Sequence, residues 1–155
     1  MAGPVRKSPR VSFFDYSSSQ YYFVTICTHE KKCIFGSIKN LSRYGQIAAD
    51  SIAQISTHYF GVTVDKFVVM PNHIHMILVI GCDNEKKRNP SLDQVIGAYK
   101  SGVSREIHKI RDHFPVWQRS FHDHVIRNQK DYERIWSYID TNPVKWETDC
   151  FYYGE

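Results

Sequence analysis

The sequence predicts an α+β domain built on an antiparallel sheet. Three observations carry this expectation. Runs rich in β-branched, aromatic and aliphatic residues fall at positions 21–28, 62–70, 73–80 and 117–127. Segments with apolar residues at helical spacing lie between them, and one more follows the last. Only Pro71 and Asn72 separate the second run from the third, a connection short enough to force a hairpin. The order is β-α-β-β-α-β-α. Its first six elements match the split β-α-β pattern of a ferredoxin-like sheet with helices on one face, and a C-terminal helix carrying Tyr138 is added.

Each element has a local reason. Residues 1–20 form a basic, Ser-rich arm without a clean period, and residues 21–155 are read as a single domain. Tyr21 to Thr28 has high β-propensity, and His29 to Lys32 makes a polar turn. Ser42 is a candidate N-cap for a helix reaching His58, with Ile47, Ala48, Ile52 and Ile55 on one face. Gly61 ends it. After the hairpin, positions 81–89 are a polar, charged loop. Ser91 caps a helix expected to run to about His113, with Leu92, Val95, Ile96, Tyr99, Val103, Ile107 and Ile110 on its apolar face. Pro115 stops it. Positions 117–127 read as a strand with loop ends. The last helix begins near Gln129, carries Tyr132, Ile135, Trp136 and Ile139, and ends before Pro143, because the residue preceding proline disfavours the helical region.

Bulk properties narrow the class. A chain of 155 residues with 42% hydrophobic and 14% aromatic content suits one globular domain and excludes a disordered one. No apolar run approaches the ~20 residues of a membrane span. The first residues lead into no apolar signal segment, so a cytoplasmic location is expected. Cys27, Cys33, Cys82 and Cys150 form no Cys-x-x-Cys pair and read as free thiols. Lys and Arg outnumber Asp and Glu by 20 to 16, a net charge of +4 that permits a polyanionic partner without demanding one.

The most informative residues are His73 and His75. Strand alternation puts both on one face, with Ile74 and Met76 on the other. Two imidazoles in an apolar strand are costly to bury unless each has a partner, and a divalent metal is one such partner. Pro71 and Asn72 set the pair at a strand mouth. On the last helix Tyr138 and Asn142 are four residues apart and share a face. Asn142 offers an amide oxygen to a hard cation, and Tyr138 brings a phenol close by. A phenol is a poor nucleophile at neutral pH until a cation or base assists it. A divalent ion would polarise a phosphoryl oxygen, and attack by the phenol would leave a phosphotyrosine. Hydrogen-bonded core histidines and packing tyrosines are the competing reading of the same residues.

The stretch from Met70 to His75 resembles the HUH (His-hydrophobic-His) motif of single-tyrosine transposases. A second block, Trp117 to Phe121 with His124 to Arg127 and Tyr138 to Trp146, resembles the REP-associated tyrosine transposase branch. Tyr22 to Thr28 resembles the family's first strand, and the likeness extends over about residues 12–148. It implies cleavage and rejoining of single-stranded DNA, often at hairpin-forming sequences, through a 5′-phosphotyrosine. By position it makes Tyr138 the nucleophile and His73, His75 and Asn142 the ligands of Mg or Mn. Asn142 stands where insertion-sequence relatives usually carry Gln. Lys100, Arg105, Lys109, Arg119 and Arg127 are candidate phosphate contacts, and Trp117 and Phe121 either stack on bases or belong to the core. A homodimer and a monomer are both compatible with the chain. Two other functions stay open at this point: a non-catalytic DNA-binding module of the same fold, and a zinc hydrolase using the His pair.

Overall fold

A computed structural model describes residues 19–81 and 89–148. Among the described residues four strands and four α-helices occur, in the predicted order except that the first helix is split in two: β1 (Ser19–Cys27), α1 (Arg43–Ala53), α2 (Ile55–His58), β2 (Val62–Met70), β3 (His73–Gly81), α3 (Leu92–His108), β4 (His122–Ile126) and α4 (Gln129–Thr141). The sheet order is β2-β3-β1-β4 and every pairing is antiparallel. This is the expected ferredoxin-like arrangement, with β1 and β3 at the centre.

The two sheet faces are covered separately. Val24 and Ile26 of β1 and Ile74, Met76, Leu78 and Ile80 of β3 pack against residues of α1, α2 and α3, among them Ile52, Ile55, Ile96 and Val103. Tyr21, Ile77, Val79 and Ile126 on the other face pack against Tyr132, Ile135 and Ile139 of α4. The C-terminal helix therefore lies across the sheet from the other three.

The predicted caps form. Ser42 accepts from the Gly45 amide at 3.0 Å, and Ser91 and Gln94 make a reciprocal capping box. A Cβ on Gly45 would stand 2.3 Å from the Phe35 carbonyl, so only glycine lets α1 begin this close to the preceding loop. Asn128 caps α4 by accepting from the Asp131 amide at 2.8 Å.

Several boundaries differ from expectation. β1 starts at Ser19, so the sheet takes the last two positions assigned to the arm. The helix expected over 42–58 is interrupted at Gln54, whose amide turns back onto Ser51 and Ile52. α3 stops at His108, short of His113. Ile110 continued the apolar spacing, yet it is 39% exposed and contributes no buried anchor to hold another turn. β4 covers only the second half of the strand expected over 117–127. Trp117 leaves the sheet after one bridge to Thr28 and packs against Phe35 and Tyr99. The remainder of the basic arm, most of the charged loop and the end of the aromatic tail lie outside the described residues. Cys27 is buried and Cys33 half-buried. Among the described residues no helix is long and apolar enough to cross a membrane.

Candidate active site

His73 and His75 open β3 on its α4 face, and both are buried. Their ring centroids are 4.6 Å apart. The turn and the neighbouring strand fix each ring. His73 Nδ1 donates to Asn72 Oδ1 at 2.8 Å, and the Asn72 amide nitrogen donates to the Lys31 carbonyl at 3.1 Å. That second bond sets which way the Asn72 amide points, so Nδ1 of His73 carries the proton and Nε2 the lone pair. His75 Nδ1 shares a 2.8 Å hydrogen bond with the hydroxyl of Thr25, its cross-strand partner. In both rings Nε2 is the nitrogen that would meet an ion, and both Nε2 atoms are buried. Burial, and secondarily the charge His73 would carry when protonated, hold the His75 imidazole well below its usual pKa, in its neutral form.

α4 supplies the remaining groups. The Tyr138 ring lies 5.3 Å from His75 and 6.0 Å from Phe23, and the residue is 40% exposed. Trp146, in a short 3-10 turn after α4, puts its ring 6.0 Å from His73. Asn142 stands between these two in the chain, one turn beyond Tyr138, and its Oδ1 is buried. The structure thus brings His73, His75 and Tyr138 together, with Asn142 bracketed in the chain by Tyr138 beside His75 and Trp146 beside His73. Among the described residues no three of His, Cys, Asp and Glu cluster to hold a metal. Two imidazole nitrogens and an amide oxygen are a mixed donor set that could hold a divalent ion.

α4 is held over the sheet by its own contacts. Tyr132 donates to Asp65 at 2.7 Å, and Lys66 pairs with Asp140 at 2.7 Å while lying 4.0 Å over the Trp136 ring. The register of β2 against β3 shifts between Val64 and Lys66, a bulge that sets Asp65 and Lys66 toward this helix.

The cationic candidates are dispersed. Lys100 and Arg105 lie on α3, across the sheet from the His pair. Lys100 donates to the Gln118 carbonyl at 2.9 Å, and burial lowers its pKa. Arg105 lines a cavity of about 540 Å³ between α1 and α3. Arg119 and Arg127 are exposed on either side of β4. Trp117 and Phe121 pack against the core, and Trp117 Nε1 donates to the Lys100 carbonyl. Sequence reasoning took Asn72 for a turn residue and gave Thr25 no role; the short spacing of Asn72 before the pair was the available signal.

A family model described as "Transposase IS200 like" matches residues 15–142. The chain belongs to the IS200-like transposase family. It is 34% identical over 167 residues to an uncharacterized protein of Haemophilus influenzae, covering 95% of this chain and 93% of that one. It is 34% identical over 82 residues to the REP-associated tyrosine transposase of Escherichia coli, covering 53% of this chain and 44% of that one. Its fold is similar to that of a REP-associated tyrosine transposase solved bound to a REP hairpin, with a TM-score of 0.65 and 21% identity over 86% of this chain and 72% of that chain.

Proposed function

We propose that this transposase-family member cleaves and rejoins single-stranded DNA at hairpin-forming sequences, with Tyr138 as nucleophile. The observation that carries this reading is the packing of the half-exposed Tyr138 ring against His75, itself fixed through Nδ1. The phenol gives up its proton as its oxygen attacks the scissile phosphorus, the bond to the 3′-oxygen breaks, and the tyrosine keeps the 5′-phosphate. The 3′-oxygen takes up a proton and leaves as a hydroxyl. Reversal needs no ATP, because the phosphodiester energy is stored in the phosphotyrosine. His73, His75 and Asn142 would hold Mg or Mn, which when bound polarises a phosphoryl oxygen and offsets developing charge.

The contact between Tyr138 and His75 within one chain, and the tethers from β2 to α4, support a site completed by a monomer. Arg119 and Arg127, at the ends of β4, are the predicted phosphate contacts that lie nearest β4; Lys100 and Arg105 would require the DNA to reach the α3 face. The fold's likeness to a transposase solved with a hairpin supports hairpin DNA as substrate.

The test uses labelled single-stranded hairpin DNA with Mg or Mn. The parent forms a covalent adduct, and Tyr138→Phe and EDTA each abolish it. An adduct of equal yield in Tyr138→Phe overturns the assignment. A His73→Ala protein mixed with Tyr138→Phe stays inactive if the site is built in one chain.

A further inference from the structure

α4 covers only part of its sheet face. Its tethers run to β2, and Tyr138 reaches Phe23 on β1. The register places two more histidines on this same face: His122 opposite Thr25, and His124 opposite Phe23. Thr25 is also the partner of His75, so His75, Thr25 and His122 form one row across three strands. Both β4 histidines are exposed. The half-buried Phe23 is thus on the floor of an apron open along β4 and walled by α4.

That wall is organised. Asp131, Arg134 and Tyr138 fall on one stripe of α4 at spacings of three and four. Asp131 accepts from His124 Nε2 at 2.7 Å and from the Arg134 guanidinium. Burial works to raise the Asp131 pKa; the hydrogen bonds from His124 and Arg134 outweigh it, so the carboxylate stays ionised. One carboxylate thereby fixes an imidazole and a guanidinium beside the tyrosine. A guanidinium bound through one edge keeps further N–H donors for another anion. At the opposite end Trp146 stands against His73.

We infer that the apron between β4 and α4 carries the single strand flanking the scissile phosphate, with Arg134 and His124, held by Asp131, gripping a neighbouring phosphodiester and His122 lining its outer edge. The inference rests on the proposed reaction for its orientation, and its test does not depend on catalysis. The probe is fluorescein-labelled oligothymidylate in EDTA, titrated with full-length protein at several salt concentrations. Arg134→Gln is expected to weaken binding about tenfold and to reduce the salt slope by about 0.7, the loss of one phosphate contact to a single strand. Arg134→Lys keeps the slope. Arg43→Gln, on exposed α1 across the sheet, leaves both unchanged. His124→Gln gives a smaller loss of affinity. If Arg134 only staples α4, Arg134→Gln lowers the melting temperature while binding per folded molecule matches the parent, which overturns the inference. An equal effect from Arg43→Gln overturns it as well, since the slope would then report net charge alone. Adduct yield in Arg134→Gln recovers at saturating hairpin DNA. Absence of any adduct in the parent would count against the reaction and leave the binding result standing.

Discussion

On the α1/α3 face, β3 presents Ile74, Met76, Leu78 and Ile80, each 5% exposed or less. On the α4 face the same strand presents His73 and His75, and turns apolar only at Ile77 and Val79. The first face is a conventional core, where shape and apolar area decide the energy. The second buries polar groups at the sheet end that Tyr138 reaches. Each of those groups costs free energy that its fixed partners, Asn72 and Thr25, must offset. One face stabilises the sheet, and the other spends part of that stability holding polar groups beside Tyr138.

The largest effect should come from the first face. Met76→Ala deletes a fully buried side chain from the larger core and should cost about 2–5 kcal/mol. Urea unfolding measures it. Adduct formation per folded molecule should match the parent, because Met76 points away from the His pair. A specific catalytic loss exceeding the loss of folded protein would show that the two faces are not separable.

Asn72→Ala sharpens the comparison from the other side. It removes the acceptor that fixes the His73 tautomer, and should lower metal affinity or adduct rate about 10- to 100-fold. Titrating Mn into parent and variant during adduct formation reads this directly. A variant with parental metal dependence would mean that the turn, and not Asn72, orients the ring.

Much of this was legible in the sequence for identifiable reasons. Alternation along β3 put His73 and His75 on one face, and helical spacing put Tyr138 and Asn142 on one stripe. Caps at Ser42 and Ser91 were readable because their side chains act within three residues. The face of the sheet that α4 would choose was not readable, since periodicity gives a helix an apolar side without naming its neighbour. The bulge at Asp65 was hidden because its partner, Tyr132, is 67 residues away. Of the strand with loop ends expected over 117–127, the ladder takes 122–126, and Trp117 packs on Phe35 and Tyr99 outside it. The register that sets His122 and His124 on the same sheet face as the His pair also depends on long-range pairing, so spacing alone did not reveal it.

A pH titration of the metal-free protein probes the cost of burying His75. Its folded pKa is depressed, first by burial and then by His73, while the unfolded chain titrates near ~6.5. Below that value the unfolded state binds more protons, so stability falls as pH drops from neutral toward the folded pKa and is fully present above ~6.5. His75→Gln should flatten this part of the curve of urea midpoint against pH. An unchanged slope would assign the acid sensitivity elsewhere.

The smallest effect is expected at the rim of the α4 face. Lys66 and Asp140 pair at 2.7 Å, but their side chains remain 22% and 50% exposed. Solvent screening limits such a pair to about 0–1 kcal/mol. A double-mutant cycle with Lys66→Met and Asp140→Asn should give a coupling within that range. Lys66→Met alone also loses the stacking over Trp136 and should cost somewhat more than Asp140→Asn. Neither should change adduct formation, because Tyr132, fully buried and bonded to Asp65, already anchors the helix. If Asp140→Asn lowers the adduct rate without lowering the melting temperature, the placement of Tyr138 depends on this rim pair. Chemistry on the polar face would then hang on a surface contact, and the buried anchor of α4 would not suffice to set it.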